Sequence, residues 1–211
     1  MKKILIAIAL MMLTFNVMAQ RYLECYLDAG FGFTDGVDNR LTGAFGFGGG
    51  LTIENGLGLG VFCRGFQTVR EEDSRLAKVY DDCDFCFHGF YGGVYAEQTF
   101  LRKSFFYINA GARLGFGGVN YSNHTVEKET WNYSSQSYDV TYQKADKCFV
   151  MSLEPYGGFN FILNDHLTLS AGVEYRNLFF TSLHCANVHI ASGSDLNGMV
   201  YLAKIKFYTD F

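Results

Sequence analysis

The sequence of 211 residues predicts an all-β protein, an eight-stranded antiparallel up-and-down transmembrane β-barrel. Three observations lead to this fold class. Apolar and polar residues alternate with a period of two in eight segments of about ten residues, a length that suits a tilted strand crossing a bilayer. One face of every segment is nearly free of charge. Short turns and long loops alternate between the segments, as in barrels that cross a bilayer.

The C-terminal segment shows the alternation most clearly. Its charges fall on the face of Lys204 and Lys206, whereas the other face is apolar or aromatic except at Thr209. In the sixth segment Pro155 lies on the apolar side, and we expect a local irregularity there because proline inside a strand usually marks an edge or a bulge. The eight segments are Leu23–Phe33, Leu41–Ile53, Leu57–Arg64, Phe90–Glu97, Phe106–Phe116, Phe149–Phe161, Leu167–Arg176 and Met199–Phe211.

The connections between the segments come in two lengths. An even number of strands with this alternation puts both chain ends on the side of the short turns. The short connections are Glu54–Gly56, Arg102–Lys103 and Asn164–His166, and the long ones are Thr34–Arg40, Thr68–Asp84, Val119–Lys147 and Ser182–Leu196.

Residues 1–19 have the three parts of a secretory signal peptide. Lys2 and Lys3 precede the apolar run Ile4–Phe15, and the small-residue end at Ala19 predicts cleavage before Gln20. The remaining residues 20–211 suit a single barrel domain. Without the leader, 15 basic residues face 21 acidic ones, and this excess of acidic residues disfavours nucleic acid as a partner.

The charged face of the segments is predicted to point inward. A soluble eight-stranded barrel would carry charges on its outside, whereas here one face of all eight segments lacks them. Because an unpaired interior charge costs several kcal/mol, we expect a balanced network of ion pairs. Since the last strand must close on the first, Glu24 or Asp28 should pair with Lys204 or Lys206. The predicted network comprises Glu24, Asp28, Arg64, Glu97, Arg113, Glu154, Glu174, Arg176, Lys204 and Lys206.

These features resemble the small OmpA/OmpX-like outer-membrane barrels, and especially the outer membrane protein beta-barrel domain family of Bacteroidota. The resemblance covers Gln20–Phe211. The leader and the eight segments carry it, together with the Glu154–Phe159 stretch, Gly172–Tyr175 and the terminal Phe211.

The resemblance implies a location and partners. It places the barrel in the outer membrane of a Gram-negative bacterium, with both mature termini in the periplasm and outer-membrane lipid around it. It also implies that Phe207 and Phe211, with the apolar Ile205 and Ala203 at the alternate positions before them and Thr209 as a weaker match between them, serve as the signal read by the barrel-assembly machinery.

The six cysteines do not form a recognisable chemical site. Cys25 and Cys63 fall on the apolar face and are interpreted as small apolar residues. The stretch Asp81–His88 contains a Cys-x-x-Cys pair, but the sequence offers neither a second pair of metal ligands nor a thioredoxin-like context. We therefore predict no metal and no cofactor. The cysteines predicted near the loop end, where they are candidates for disulfides, are Cys83, Cys86, Cys148 and Cys185.

An enzyme is not favoured. Ser182 with His184, and His189 with Ser192, are close enough in sequence to suggest a nucleophile beside a base. Neither pair forms the motif of the barrel lipid A deacylases. We predict no enzyme, and a lipid-modifying activity is an alternative only.

The leading functional hypothesis is a structural or surface-interaction role, in which a rigid barrel presents its long loops outside the cell. Loop 119–147 is rich in tyrosine, serine, threonine and asparagine and contains Trp131, a composition typical of adaptable contact surfaces, so it is a candidate to meet an extracellular ligand. The main alternative is a narrow gated pore, although eight strands leave an interior just filled by side chains. A soluble ligand-binding barrel is disfavoured by the charge-free face.

Overall fold

The computed structural model describes residues 21–36, 39–53, 56–69, 71–72, 84–123, 126–142, 146–185 and 188–210. The predicted leader, residues 1–19, lies outside the described residues, as do Gln20, Cys83 and Phe211. In the part of the chain that the structure describes, no helix has both the length and the apolar character needed to cross a membrane.

Eight long strands form one closed antiparallel barrel, which confirms the predicted fold class. Each strand pairs with its neighbours along the chain, and the last pairs with the first to complete the circle. Closure gives every strand two hydrogen-bonding neighbours, a requirement for any sheet surrounded by lipid. The strands are β1 (Arg21–Phe33), β2 (Leu41–Ile53), β3 (Leu57–Thr68), β4 (Asp84–Phe100), β5 (Phe106–Asn123), β6 (Asp146–Asn164), β7 (Leu167–Phe179) and β8 (Gly198–Asp210).

The two faces of the strands differ as the alternation predicts. On β1, Leu27 is 59% exposed on the outer face, whereas Tyr26 and Asp28 on either side of it are buried inside. Cys25 also lies exposed on the outer face. Tight turns join β2 to β3, β4 to β5 and β6 to β7 at one end. At the first of these turns Gly56 adopts a φ of +83°, a left-handed conformation that favours glycine.

The strands extend further toward the loop end than the sequence pattern indicates. Both ends of loop 119–147 are strand, since Val119–Asn123 belongs to β5 and Asp146–Lys147 belongs to β6. Between them, Val126–Asn132 and Ser137–Tyr142 pair as a separate two-stranded ribbon. The predicted loop after β3 likewise contains Glu71–Glu72, paired with the start of β4. Alternation misses these extensions because backbone pairing continues beyond the last apolar residue of the pattern in the sequence.

Pro155 interrupts the pairing of β6 with β7 without shifting it. The partners run from Glu174 opposite Tyr156 to Asn177 opposite Leu153 in one constant register, and the two positions between them are unpaired. The irregularity expected there is therefore a gap in the ladder and not a bulge. Proline has no N–H to donate, which accounts for the gap. The register shift in this pair occurs elsewhere, between Leu167 and Thr168.

Gly48 tests whether inward glycines are required for the barrel to close. A Cβ at Gly48 would lie 2.6 Å from Tyr26 Oη and 2.6 Å from the backbone oxygen of Val61. We expect Gly48→Ala to lower the free energy of unfolding by about 1–3 kcal/mol, because the crowded backbone must shift. Urea unfolding of the detergent-solubilised barrel measures this.

The matched control is Gly43→Ala on the outer face of the same strand, where the nearest atom to the new Cβ is Gln67 O at 3.9 Å. This change should leave the free energy of unfolding unaltered or slightly raised, because alanine loses less backbone entropy on folding than glycine. Equal losses in both variants would show that the interior does not depend on glycine.

Candidate functional site

The interior of the barrel is charged over most of its length. The charges form three groups, here called levels, which follow one another along the barrel from the short turns toward the loops. Nearest the short turns, Lys206 lies between two carboxylates. Its Nζ is 2.6 Å from Glu97 Oε1 and 3.1 Å from Glu24 Oε1. Lys206 is thus one of the two lysines expected to pair with strand β1. The three side chains are all buried.

Neutral side chains complete this first level. Asn109 Nδ2 donates to Glu97 Oε2 at 2.8 Å, and the hydroxyl of Tyr156 donates to the same oxygen at 3.0 Å. On the other side, Thr52 donates to Glu24 Oε2 at 3.2 Å. Hydrogen bonds of this kind offset the cost of burying a carboxylate away from water.

Arg113 and Glu174 form the next level. Arg113 Nη2 lies 2.9 Å from Asp28 Oδ2, and its Nη1 lies 2.5 Å from Glu174 Oε2. The guanidinium carbon also lies 4.8 Å from the centre of the Tyr156 ring, at cation–π distance. Since Asp28 comes from β1, Arg113 from β5 and Glu174 from β7, this level connects strands on different sides of the barrel.

The third level shares Glu174 with the second. Arg64 Nη1 lies 2.5 Å from the same Glu174 Oε2, and 3.6 Å from Glu154 Oε2. The hydroxyl of Tyr91 donates to Glu154 Oε1. One carboxylate oxygen therefore accepts from two arginines, and Glu154 is held by a cation and a phenol.

Two of the ten predicted residues occupy different surroundings. Lys204 Nζ lies over the rings of Tyr26 and Tyr156, 4.4 Å and 5.1 Å from their centres. Asp28, which is opposite Lys204 in the β1–β8 register, turns instead to Arg113. Arg176 donates from Nε and Nη2 to the backbone oxygen of Leu196, at 3.2 Å and 3.1 Å.

The contact between Arg176 and Leu196 leads to a structure that the sequence pattern did not predict. The connection from β7 to β8 was expected to be an external loop, but part of it packs into the barrel mouth. It contains a small hairpin, Leu183–Cys185 with Val188–Ala191, and a 3₁₀ turn, Gly193–Leu196. We call residues 183–185 and 188–196 the mouth cap.

Apolar side chains hold the mouth cap in place. Leu183, Ile190, Ala191 and Leu196 are all fully buried, and they belong to one apolar cluster with interior residues of the strands. Those strand residues include Phe66, Phe87, Val119, Tyr121, Val150, Leu178 and Val200. The signal that could have found the cap is the recurrence of apolar residues in an otherwise polar loop, since apolar residues generally mark burial.

Backbone and amide hydrogen bonds fasten the end of the cap. Leu178 N donates to Asn197 Oδ1 at 2.7 Å, and Asp35 N donates to Asn197 O at 2.7 Å. Arg40 is also buried near this end, with its guanidinium carbon 5.9 Å from the centre of the Phe87 ring. The sequence placed Arg40 in a loop, because the alternation in its own segment begins only at Leu41.

The opposite end of the barrel is open. A cavity of about 430 Å³ lies among the short turns and reaches inward as far as Glu97. Tyr107 and Tyr208 share a hydrogen bond of 2.6 Å on its wall. The turn residues Arg102, Lys103 and His166 line its entrance. The interior is therefore capped at the loop end and accessible for a short depth at the turn end.

The candidate nucleophiles in and next to the mouth cap are only partly brought together. Ser182 Oγ lies 3.4 Å from His184 Nδ1. The ring of His184 faces that of His189, with 5.6 Å between their centres. Ser192 Oγ, however, donates to Asp195 Oδ2 at 2.8 Å and contacts Ser194. The prediction that the chain is not an enzyme stays a prediction.

The disulfide prediction also stays open. Cys86 on β4 lies opposite Ser122, and Cys148 on β6 lies opposite Val119, so strand β5 separates them. Cys83 lies outside the described residues, and the side chain of Cys185 is likewise undescribed.

Comparison with known proteins supports the class of fold. No family model matches the chain, and no curated protein matches it significantly. Solved structures do match over most of its length. The crystal structure of Neisserial surface protein A (NspA) superposes with a TM-score of 0.53 at 14% identity, covering 89% of this chain and 96% of that one.

Two further solved structures are similar at lower scores. Ail, the attachment invasion locus protein of Yersinia pestis, gives a TM-score of 0.44 at 15% identity and covers 92% of this chain and 100% of its own. A major outer membrane protein from Thermus thermophilus gives 0.48 at 12% identity, covering 89% and 99%. The chain has the fold of a small β-barrel of the NspA kind.

Removing Lys206 tests the charged interior. We expect Lys206→Met to lower the free energy of unfolding by about 3–5 kcal/mol, since it leaves Glu24 and Glu97 buried without their cation. Urea unfolding in detergent measures the loss, and adding Glu97→Gln to the same chain should recover part of it. If Lys206→Met alone does not fold, the appearance of folded barrel when Glu97→Gln is added shows equally that the unpaired carboxylate caused the loss.

Lys204→Met is the matched control on the same strand and face. It removes a cation that lies over tyrosine rings, a buried contact worth about 2 kcal/mol. A loss at Lys204 equal to that at Lys206 would contradict the assignment of Lys206 as the cation of this level.

Proposed function

We propose that this protein is an integral outer-membrane barrel of a Gram-negative bacterium, with a rigid, closed body that presents loops at the cell surface. The observation that carries the proposal is the outer wall. Large apolar side chains are exposed all around it, among them Phe45 at 60%, Val61 at 62% and Val94 at 56%. Monomeric soluble proteins rarely expose contiguous apolar patches beyond a few hundred Å². Membrane barrels do expose such a wall, because its apolar side chains contact lipid.

Aromatic residues support the same setting. Exposed rings occur toward both ends of the outer wall, as in the interfacial girdles of membrane barrels. On β4, Phe90 and Phe100 are both exposed. Ten residues on a strand tilted by about 45° cover roughly 23 Å along the barrel axis, close to the height of the apolar band in such barrels. Toward the short turns the exposed rings are Phe100, Phe105, Phe161 and Phe207, and toward the loops they are Phe31, Phe33, Phe90, Phe149, Phe179 and Tyr201.

The orientation and the assembly partner follow from this setting. Short turns face the periplasm in outer-membrane barrels, so both mature termini would lie in the periplasm and the ribbon and the mouth cap outside. Phe207 is 48% exposed on the outer face near the end of β8. It would act with Phe211 as the signal for the barrel-assembly machinery, and outer-membrane lipid would contact the wall.

The interior supports a closed body more than a pore. The three charged levels are built from side chains that are almost completely buried, and the mouth cap covers the loop end. The ten network residues would therefore hold the wall rigid and plug it. A gated pore would require the cap to leave the barrel mouth, where its apolar side chains are buried and Arg176 donates to the backbone oxygen of Leu196.

The ribbon Val126–Tyr142 is the part of the chain that we propose for contacts with an extracellular ligand. It pairs with itself and not with the barrel strands. Around its turn, Tyr133 is 87% exposed and Trp131 is 41% exposed. Exposed tyrosine and tryptophan provide large, rigid contact area at low entropic cost.

The test of the proposed location and fold is electrophoretic mobility after membrane fractionation. We expect the protein in the outer-membrane fraction, and we expect its unheated form to migrate differently from the boiled form, because a closed barrel resists detergent until it is heated. A single band from the soluble periplasm would overturn the proposal. It would make a soluble ligand-binding barrel the better interpretation.

Deleting the ribbon separates its role from that of the barrel. Replacing residues 124–145 with a short Gly-Ser turn should leave the heat-dependent mobility shift unchanged, since β5 and β6 remain paired below it. Binding of the cells to any extracellular ligand should be lost. Trp131→Ala with Tyr133→Ala is the milder companion variant. Loss of the mobility shift on deletion would show that the ribbon is needed for assembly instead.

A further inference from the structure

The mouth cap carries two histidines whose arrangement the proposed function does not use. His184 and His189 lie directly opposite each other on the two strands of its hairpin. Both are exposed, and their ring centres are 5.6 Å apart with the planes at 83°. They share one face of a two-stranded sheet at the loop end of the barrel.

The hairpin under the two rings is firmly held. Leu183 and Ile190, the residues next to the histidines in sequence, are fully buried in the mouth of the barrel. Side chains of neighbouring strand residues point to opposite faces, so burying one face presents the histidines on the other. A pair held on such a rigid element keeps its separation and loses little entropy when a ligand joins it.

The separation of the rings suits a shared metal ion. A zinc–imidazole bond of about 2.0–2.1 Å places the metal about 3.2 Å from the ring centre. Two rings bound at a tetrahedral angle then have centres about 5.2 Å apart. The observed 5.6 Å differs by a few tenths of an ångström, which a small side-chain rotation of an exposed ring covers.

A neighbouring hydroxyl favours the tautomer that coordination requires. Ser182 Oγ lies 3.4 Å from His184 Nδ1. When Nδ1–H donates to this oxygen, Nε2 carries the lone pair through which an imidazole coordinates a metal. Metal-binding histidines generally donate their second ring N–H to such a partner.

We propose that His184 and His189 form a chelate for a divalent transition-metal ion of the type that prefers imidazole nitrogen, namely Cu²⁺, Ni²⁺ or Zn²⁺. Water completes the coordination sphere, since the pair lies on the exposed face of the mouth cap. The order of affinity follows the general preference of nitrogen sites, with Cu²⁺ bound most tightly. The site lies at the loop end, so the metal arrives from the side on which the long loops are displayed.

Titration of the untagged, folded barrel in detergent with Cu²⁺ and Ni²⁺ tests the proposal, after alkylation of the thiols, which bind the same metals. We expect one site per chain. His184→Asn and His189→Asn should each weaken binding by about tenfold or more, because the second imidazole binds at high effective concentration once the first is engaged. The electron paramagnetic resonance spectrum of the Cu²⁺ complex should show two imidazole nitrogens in the wild type and one in each variant.

His166→Asn is the matched control, because His166 lies in a short turn at the opposite end of the barrel and contacts Tyr208 O. It should bind metal as the wild type does. Both hairpin variants should keep the heat-dependent mobility shift, since the histidines are exposed. Wild-type affinity in either hairpin variant, or a Cu²⁺ spectrum that shows fewer than two imidazole nitrogens in the wild type, would overturn the proposal.

Discussion

The structure depends on one constraint, which is that nearly all the polar side chains of the strands must share a single narrow interior. The outer wall is apolar, so the charges of seven of the eight strands converge on the barrel axis, where their side chains are buried. Charges in such surroundings need partners. The pairing of Lys206 with Glu24 and Glu97, and of Glu174 with Arg64 and Arg113, satisfies this need across the barrel.

The glycines are the counterpart of these large interior side chains. An eight-stranded barrel leaves just enough room for its interior to be filled, so a large residue on one strand requires a small one beside it. A Cβ at Gly46 would lie 2.7 Å from Asp28 Oδ1, and one at Gly115 would lie 2.6 Å from Ser152 Oγ. The abundance of glycine and of aromatic residues in the composition therefore reflects one packing requirement.

The two ends of the barrel are finished in different ways. At the short turns a polar cavity opens, whereas at the loop end an apolar cluster and the mouth cap cover the interior. Arg176 joins the barrel wall to the cap, since it lies on the inner face of β7 and donates to the backbone oxygen of Leu196. The cap fixes the position of the hairpin that it contains, while the ribbon Val126–Tyr142 forms a two-stranded sheet of its own. The mouth cap therefore offers a rigid surface for contacts with other molecules, and the ribbon offers a second surface.

The sequence by itself determined the number of strands, their order and the face that each residue occupies, because a period of two records directly which side of a strand is apolar. It also predicted a set of ten interior charges, since the charged residues of the segments fall on the face opposite the apolar one. Only the tertiary structure decided which charge meets which. Asp28 and Lys204 are opposite each other in register, yet Asp28 turns to Arg113 from β5 while Lys204 lies over two tyrosine rings. The mouth cap, the buried Arg40 and the facing histidines likewise depend on contacts between segments distant in sequence, and no local pattern records such contacts.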